Sequence, residues 1–299
     1  MLYDTAICYP FPHKGLGRDD VRRLHEYLEG FAEEYPLYEA ANPCTAPAAF
    51  VHRCSPSGPT PEALKCMALF MYLVDYYNDM VGAPGYADQV DRFWLALCGE
   101  LGEPQNALEG ATVELRRLLQ PWLDAGPHMD HSFFHYVART WSAFRRESLH
   151  LGQLPADMRS YLQIRHHTIC VQPFLALWKL LWRLPPRINI EYGPRLHDLE
   201  SCTRLLVFLA NDLGSLTRDI QRSQQNSILI ASQERNLSLG QATQFVRDWH
   251  DREVYVFVRI CEELRNNAAH DRELLWYLDA LQTSIAGNTL AMFDLSGRY

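Results

Sequence analysis

The spacing of apolar residues is the feature that most constrains the fold, because it follows a helical period along almost the whole chain. In the segment 18–34, Leu24, Leu28 and Phe31 fall on one side of a helix. The two-residue alternation that marks strands is nearly absent, and no internal repeat or linker separates two cores. We therefore predict an all-α fold, a single-domain helical bundle over residues 1–299.

The remaining helices are predicted from the same periodicity and from proline and glycine breaks. Residues Tyr35–Thr60 contain five prolines and are predicted to form a long irregular connection, after which Pro61 opens a helix at its first turn. The predicted helices after the first one are Pro61–Met80, Gln89–Gly99, Gly110–Asp124, His131–Leu151, Ala156–Leu184, Pro194–Arg222, Ser238–Ala268 and Arg272–Phe293.

Composition narrows the class of partner. The chain is 47% hydrophobic, which is enough to bury a core, and its net charge of -8 without a basic run disfavours nucleic acid as a partner. No apolar stretch approaches the ~20 residues of a membrane span, and no signal peptide is recognised at the N-terminus. The eight cysteines are scattered without zinc-site spacing, so we expect buried thiols and a cytoplasmic protein, as monomer or homodimer.

An apolar segment, residues 66–74, ends in two acids. Asp75 and Asp79 are four positions apart and therefore share one face of a helix. Two carboxylates on a mostly buried helix are costly unless they meet water, a cation or a partner. Taken alone, the pair fits either a helix end that reaches solvent or one side of a Mg²⁺ site completed by water and phosphate oxygens.

A second apolar helix becomes polar on one face. After the apolar residues 205–210, Asn211, Ser215 and Asp219 recur at four-residue intervals and share one side. An amide oxygen, a hydroxyl and a carboxylate are all ligands that Mg²⁺ accepts. Local hydrogen bonding is the alternative role for such residues, but three spaced positions together with a second acidic helix favour a shared metal site.

The two segments together resemble the metal motifs of class I terpene synthases of the small bacterial type. That family carries an aspartate-rich motif, DDxxD with variants, and a triad, NDxxSxxxE, which together bind three Mg²⁺ and a substrate diphosphate. Asp75 and Asp79 match the first motif, with Tyr76 in place of its second acid, and Asp219 replaces the final Glu of the triad. The resemblance implies the isoprenoid synthase fold with a central active-site cavity, and Mg²⁺ as cofactor, with Mn²⁺ as the alternative.

A sensor stretch upstream of the triad extends the resemblance. Residues 161–169 are similar to the family's diphosphate sensor, and Arg165 within them lies 46 positions before Asn211 (211 − 165 = 46). By this similarity Arg165 is the sensor, Thr168 the linker and Ile169 the effector, whose carbonyl faces the carbon that ionises. His166 and His167 follow the sensor, and a structural role is favoured for at least one of them over a role as base.

Further arginines complete the expected diphosphate site. Arg218 stands where the family commonly has a basic residue before the last acid of the triad, and Arg298 and Tyr299 match the Arg–Tyr pair that often ends the family's last helix. Acids of the two motifs, with Asp212 among them, are expected to recruit Mg²⁺. These cations and the arginines would make one positive mouth on an acidic protein.

An apolar, aromatic cavity is expected because a carbocation reacts with any nearby nucleophile and is stabilised by aromatic faces. Phe70 and Phe208, which shortly precede the two motifs, are the predicted aromatic residues of that cavity. Most aromatic residues at helical spacing belong to a core instead.

The resemblance implies Mg²⁺-dependent ionisation and cyclisation of a prenyl diphosphate. Farnesyl diphosphate is the expected substrate, and a C20 geranylgeranyl or copalyl diphosphate is the alternative, because the Asp-x-x-Asn-Asp form of the first motif also resembles small bacterial diterpene synthases. Two other functions stay open: a chain-elongating prenyltransferase, which normally carries two DDxxD motifs, and a catalytically inactive helical binding homologue.

Overall fold

Twelve helices form the regular structure of the residues that the computed structural model describes, and no strand occurs among them. The described residues are 7, 9–38, 44–81, 83–125, 132–148, 155 and 157–295, without the side chains of residues 293 and 294. The all-α prediction is confirmed. The helices are α1 (Arg18–Glu34), α2 (Thr45–Cys54), α3 (Pro61–Asp79), α4 (Tyr86–Cys98), α5 (Ala107–Leu123), α6 (Ser132–Ser148), α7 (Met158–Thr168), α8 (Val171–Leu181), α9 (Pro186–Gln221), α10 (Ser227–Arg235), α11 (Leu239–Asn267) and α12 (Arg272–Asp294).

Local sequence explains where several helices begin. Thr60 accepts a hydrogen bond from the Ala63 N–H at the start of α3, where Pro61 lacks an N–H that would need a partner. Ser238 and Gln241 form a reciprocal capping box at the start of α11. Asn226 caps α10 through its side-chain oxygen, which accepts from the Ile228 N–H.

Four predicted boundaries are corrected by the structure. The predicted irregular connection Tyr35–Thr60 contains α2. Its Pro47 does not prevent this helix, because it falls in the first turn, where proline is tolerated. The predicted helix Ala156–Leu184 breaks into α7 and α8 around Cys170, whose backbone is left-handed (φ 61°). Helix α9 begins at Pro186 and runs through Pro194. Helix α10 was not predicted as a separate element, and His131 lies outside the described residues.

Helix α12 packs against α2 and α9 and so joins two sides of the bundle. Gly287 makes the approach to α2 possible, because a Cβ atom there would lie 2.0 Å from the Arg53 carbonyl oxygen. On the other side, the Asn288 side chain donates to the Val207 carbonyl of α9 (3.2 Å) and the Asn211 amide contacts the Met292 sulfur (3.5 Å). These contacts fix the side that α12 presents to the interior.

No helix among the described residues has the length and apolar character needed to cross a membrane. The seven described cysteines are free thiols, as expected, and Cys8 lies outside the described residues. Most of these thiols are buried.

Candidate active site

One cavity brings the two polar helices together. Asp75 and Asp79 of α3 line it, and so do Asn211 and Asp219 of α9. Arg165 of α7 belongs to the same wall. The predicted convergence of the two motifs on one cavity is therefore what the fold produces.

The α3 side of the cavity is the more open one. Asp75 is partly exposed and accepts a hydrogen bond from the Tyr38 hydroxyl (3.3 Å), while Asp79 is exposed. Asn78 also lines the cavity. Tyr76, at the position where the family has a second acid, packs edge-on against Tyr38 instead (5.6 Å between ring centres). The aromatic substitution thus supports the position of Asp75 from outside the cavity.

The triad forms a connected group on α9. Ser215 is buried behind the wall and donates to the Asp219 carboxylate at 2.6 Å. Arg218 donates two bonds to the other Asp219 oxygen, Oδ1 (2.8 and 3.0 Å). The Asn226 amide donates to Oδ2 (2.9 Å), the oxygen that also accepts from Ser215. The shorter Asp219 side chain is therefore held by donors from α9 and from the α10 cap.

Asp212 lies behind the cavity wall and is fully buried, which corrects its expected role in recruiting Mg²⁺. Its carboxylate accepts from the Tyr161 hydroxyl (2.6 Å), the Ser227 N–H (2.8 Å) and Arg165 (3.0 Å). The physical reason is the helical period: a residue one position after Asn211 points about 100° away from the triad face. Asp212 joins α7, α9 and α10 and positions the sensor arginine.

Arg165 connects this buried acid to the triad. The same nitrogen that contacts Asp212 donates to the Asn211 side-chain oxygen at 2.8 Å. Its side chain is 16% exposed, so it reaches the cavity while its charge is balanced from behind. The predicted sensor therefore sits beside a predicted metal ligand.

The break between α7 and α8 places the predicted linker and effector in the cavity wall. Thr168 and Ile169 both line the cavity. Residue 173, which would ordinarily donate to the Ile169 carbonyl four residues earlier, is a proline and has no N–H. Among the described residues no backbone N–H donates to that carbonyl. A backbone carbonyl left without a donor at this break is a dipole available to a bound molecule.

Sequence analysis missed Glu147, which is part of the cavity wall at the end of α6. Burial raises the pKa of its carboxyl above the ordinary value, an effect that nearby Arg165 opposes. No local pattern marks this residue, because only the packing of α6 on α7 brings it to the site.

The two phenylalanines predicted for the cavity lie in the core instead. Phe70 packs against Phe133 and Trp141, and Phe208 packs against Tyr161 and Trp249. Among the described residues, the aromatic rings of the wall are those of Phe50 and Phe174.

The two histidines after the sensor are uncharged at neutral pH. Burial lowers the pKa of both His166 and His167 to about 4. His166 also lies against the Phe208 ring, 5.9 Å between ring centres. The structural role favoured for them is consistent with this placement.

The donor set fits a hard cation. Carboxylate, amide and hydroxyl oxygens are what Mg²⁺ accepts, and water or phosphate oxygens usually complete its shell. Within the described ranges, no three His, Cys, Asp or Glu side chains form a metal site by themselves. A cation here would therefore depend on Asn211 and substrate oxygens as well as on acids. Arg298 and Tyr299 lie outside the described residues.

Comparison with known proteins places these features in a family. The family model described as terpene synthase family 2, C-terminal metal binding, matches residues 65–255. The (+)-eremophilene synthase of Sorangium cellulosum (strain So ce56) is 25% identical over 172 residues, which cover 57% of this chain and 50% of that protein. The matched segment thus spans about half the length of that curated relative.

Solved structures show the same fold. The germacradien-4-ol synthase of Streptomyces citricolor superposes with a TM-score of 0.82 at 18% identity, over 98% of this chain and 100% of that one. The linalool/nerolidol synthase of Streptomyces clavuligerus, in complex with 2-fluorogeranyl diphosphate, gives a TM-score of 0.76 at 20% identity, over 98% and 100% of the two chains. The predicted isoprenoid synthase fold is confirmed.

Proposed function

The chain belongs to terpene synthase family 2, and on this premise we propose that it is a class I terpene cyclase, which ionises a prenyl diphosphate and cyclises the carbocation with release of diphosphate. The observation that carries the proposal is the single cavity shared by Asp75 and Asp79 of α3 and by Asn211 and Asp219 of α9, with Arg165 between the triad and Asp212. The neighbour bound to 2-fluorogeranyl diphosphate supports this class of substrate.

Two groups of oxygen ligands would hold Mg²⁺ at the mouth of the cavity. Asp75 and Asp79 form one group, and Asn211 and Asp219 form the other, with Ser215 behind the wall bonded to Asp219 and proposed as the third ligand of the triad. When bound, Mg²⁺ supplies electrostatic stabilisation of the diphosphate leaving group. Three ions, as the resemblance implies, are part of this proposal.

Arginines neutralise the leaving group as the carbon–oxygen bond breaks. Arg165 and Arg218 both line the cavity, each already held beside a triad residue. Fixed donors of this kind stabilise charge where it develops and need little reorganisation. Arg298 and Tyr299 remain predicted partners of the same diphosphate.

The Ile169 carbonyl stabilises the opposite charge. Its oxygen is the negative end of a dipole at the α7–α8 break, and the adjacent Thr168 is 4% exposed and lies in the same wall. Placed beside the first carbon of the substrate, this carbonyl lowers the energy of the developing allylic cation.

The rest of the wall is suited to a hydrocarbon chain. Phe50, Met71, Val74, Phe174 and Val207 line the cavity. Apolar side chains exclude water from the cation, and the rings of the two phenylalanines stabilise it through their faces. Farnesyl diphosphate is the proposed substrate, with the C20 diphosphates as the alternative.

The test is incubation of the full chain with geranyl, farnesyl, geranylgeranyl or copalyl diphosphate and Mg²⁺, with analysis of diphosphate and organic products. We expect a terpene product from farnesyl diphosphate. Asn211→Ala and Asp75→Ala should lower turnover by about a hundredfold or more, as removal of one group that stabilises a leaving charge does. The matched control is Asp88→Ala, which removes an exposed acid of α4 outside the cavity wall.

Two results would contradict the proposal. Absence of diphosphate release from all four substrates would favour the inactive homologue. A requirement for isopentenyl diphosphate in every turnover would instead favour the chain-elongating prenyltransferase.

A further inference from the structure

Two polar side chains on α12 face the otherwise apolar part of the cavity. Ser284 and Asn288 both line it, and they are only 4% and 3% exposed. They are four residues apart and therefore lie on one side of the helix. Buried polar groups nearly always have a hydrogen-bond partner, so these two need one.

The Asn288 amide is oriented by its contact with α9. Its nitrogen donates to the Val207 carbonyl at 3.2 Å. The side-chain oxygen is consequently the group left for the cavity, and no described residue donates to it. The Ser284 hydroxyl lies in the same wall, and no hydrogen bond joins it to another described residue.

The contacts between α9 and α12 give the depth of this pair. Asn288 contacts Val207, and Met292 contacts Asn211. These two contacts between α9 and α12 are therefore separated by four residues on each helix. At 1.5 Å per residue, Asn288 is about 6 Å and Ser284 about 12 Å further along the helix from the level of the Asn211 metal ligand. The pair therefore faces the middle of a bound prenyl chain rather than its diphosphate end.

We propose that Ser284 and Asn288 hold one water molecule in the cavity and that this water is added to the cyclised carbocation, so that the enzyme forms a cyclic terpene alcohol. This inference rests on the proposed function. Side chains at this helical spacing have Cβ atoms about 5–6 Å apart, a span that one water bridges with two hydrogen bonds of about 2.8 Å.

The addition step balances without a further reactant. A lone pair of the water oxygen forms a carbon–oxygen bond at the electron-deficient tertiary carbon. The resulting oxonium loses one proton to solvent water as the product leaves, and the released diphosphate takes up one proton from the same solvent. The sum is prenyl diphosphate and water giving terpene alcohol and protonated diphosphate. Because the water lies away from the diphosphate, addition occurs at a carbon in the interior of the chain, after ring closure.

The experiment uses the full chain, farnesyl diphosphate and Mg²⁺ in oxygen-18-labelled water. Products are separated by gas chromatography, and mass spectrometry measures their molecular mass and label content. We expect a cyclic alcohol that carries the label. Asn288→Leu should lower the ratio of alcohol to hydrocarbon by about tenfold, which corresponds to about 1.4 kcal/mol in the competition between water addition and proton loss. Ser284→Ala removes a single oxygen and should lower the same ratio.

Thr283→Val is the matched control. It removes a buried hydroxyl from the neighbouring position of α12, but that hydroxyl contacts the Lys14 carbonyl and not the cavity. Its alcohol fraction should equal that of the wild type. If Asn288→Leu does not fold, as judged by circular dichroism, Ser284→Ala and the wild-type label decide the matter.

The outcomes separate the two proposals. Two results overturn the water site and leave the terpene cyclase proposal intact. One is diphosphate release with hydrocarbon products only. The other is an alcohol fraction that in both cavity variants equals that of the wild type. A linear alcohol would place the water at the diphosphate end and also overturns it. Absence of diphosphate release would refute the proposed function itself.

Discussion

Gly287→Ala should be among the most damaging small substitutions in the chain. The added methyl carbon would lie 2.0 Å from the Arg53 carbonyl oxygen, 2.4 Å from the Arg53 carbonyl carbon and 2.9 Å from the Cys54 Cα atom. All three are backbone atoms at the end of α2, so no side chain can turn away. Contact at an ordinary distance requires α12 and α2 to separate by more than about an ångström in an interior that is close-packed.

Overpacking of this kind costs about 1–3 kcal/mol where side chains adjust, and more where backbone must move, so we expect a loss of at least about 3 kcal/mol. At about 2–4 °C per kcal/mol for a chain of this size, the melting temperature should fall by about 6 °C or more. Thermal unfolding followed by far-UV circular dichroism measures this directly.

Gly30→Ala is the matched control for the same chemical change. Gly30 lies inside α1, and a Cβ atom there would meet nothing within 4 Å. Alanine is the better helix former, so stability should rise by about 0.5–1 kcal/mol. If Gly287→Ala melted within about a degree of the wild type, the close approach of α12 to α2 would be wrong, and with it the side of α12 that we assign to the cavity.

Three further predictions concern buried polar groups of the site. Asn226→Ala removes a helix cap and the bonds to the Asp212 carbonyl and the Asp219 carboxylate, and should cost about 2–4 kcal/mol in urea unfolding. Burial raises the pKa of Glu147, so the folded protein binds the Glu147 proton more tightly than the unfolded chain does. The wild type should therefore lose stability relative to Glu147→Gln as pH rises above about 4.5. A difference in melting temperature between the two proteins that is the same at pH 5 and at pH 8 would contradict this. For His166, whose pKa is lowered to about 4, the wild type should lose stability relative to His166→Gln as pH falls from about 6.5 to 4, and an NMR titration midpoint near 6.5 would refute the assigned burial.

The placement of the proposed metal ligands was predictable because it depends on position along single helices. Asn211, Ser215 and Asp219 share one face of α9 by helical geometry alone, whatever the rest of the fold does. The same holds for Asp75 and Asp79 on α3. What the sequence could not supply is the partner of each group. The donors to Asp219 come partly from the α10 cap, and Glu147 reaches the cavity through the packing of α6 on α7.

The error over the cavity aromatics has a specific geometric cause. Phe70 lies five positions before Asp75, so its side chain points about 140° away from that acid around the same helix. Two residues that line the cavity are four positions before the motifs: Met71 before Asp75, and Val207 before Asn211. A four-residue step was therefore the signal available in the sequence.

The same rule explains why Asp212 differs from its neighbours in function. It directly follows Asn211 on α9, yet its side chain points one residue off the triad face, towards α7 and α10. There it accepts from Tyr161, Arg165 and the Ser227 N–H, a set of donors sufficient for a fully buried carboxylate. On α12 the four-residue step connects Ser284, Asn288 and Met292, the last of which touches Asn211, a proposed metal ligand. On α9 the acid directly after Asn211 therefore serves the structure, while Asn211 and Asp219 line the cavity.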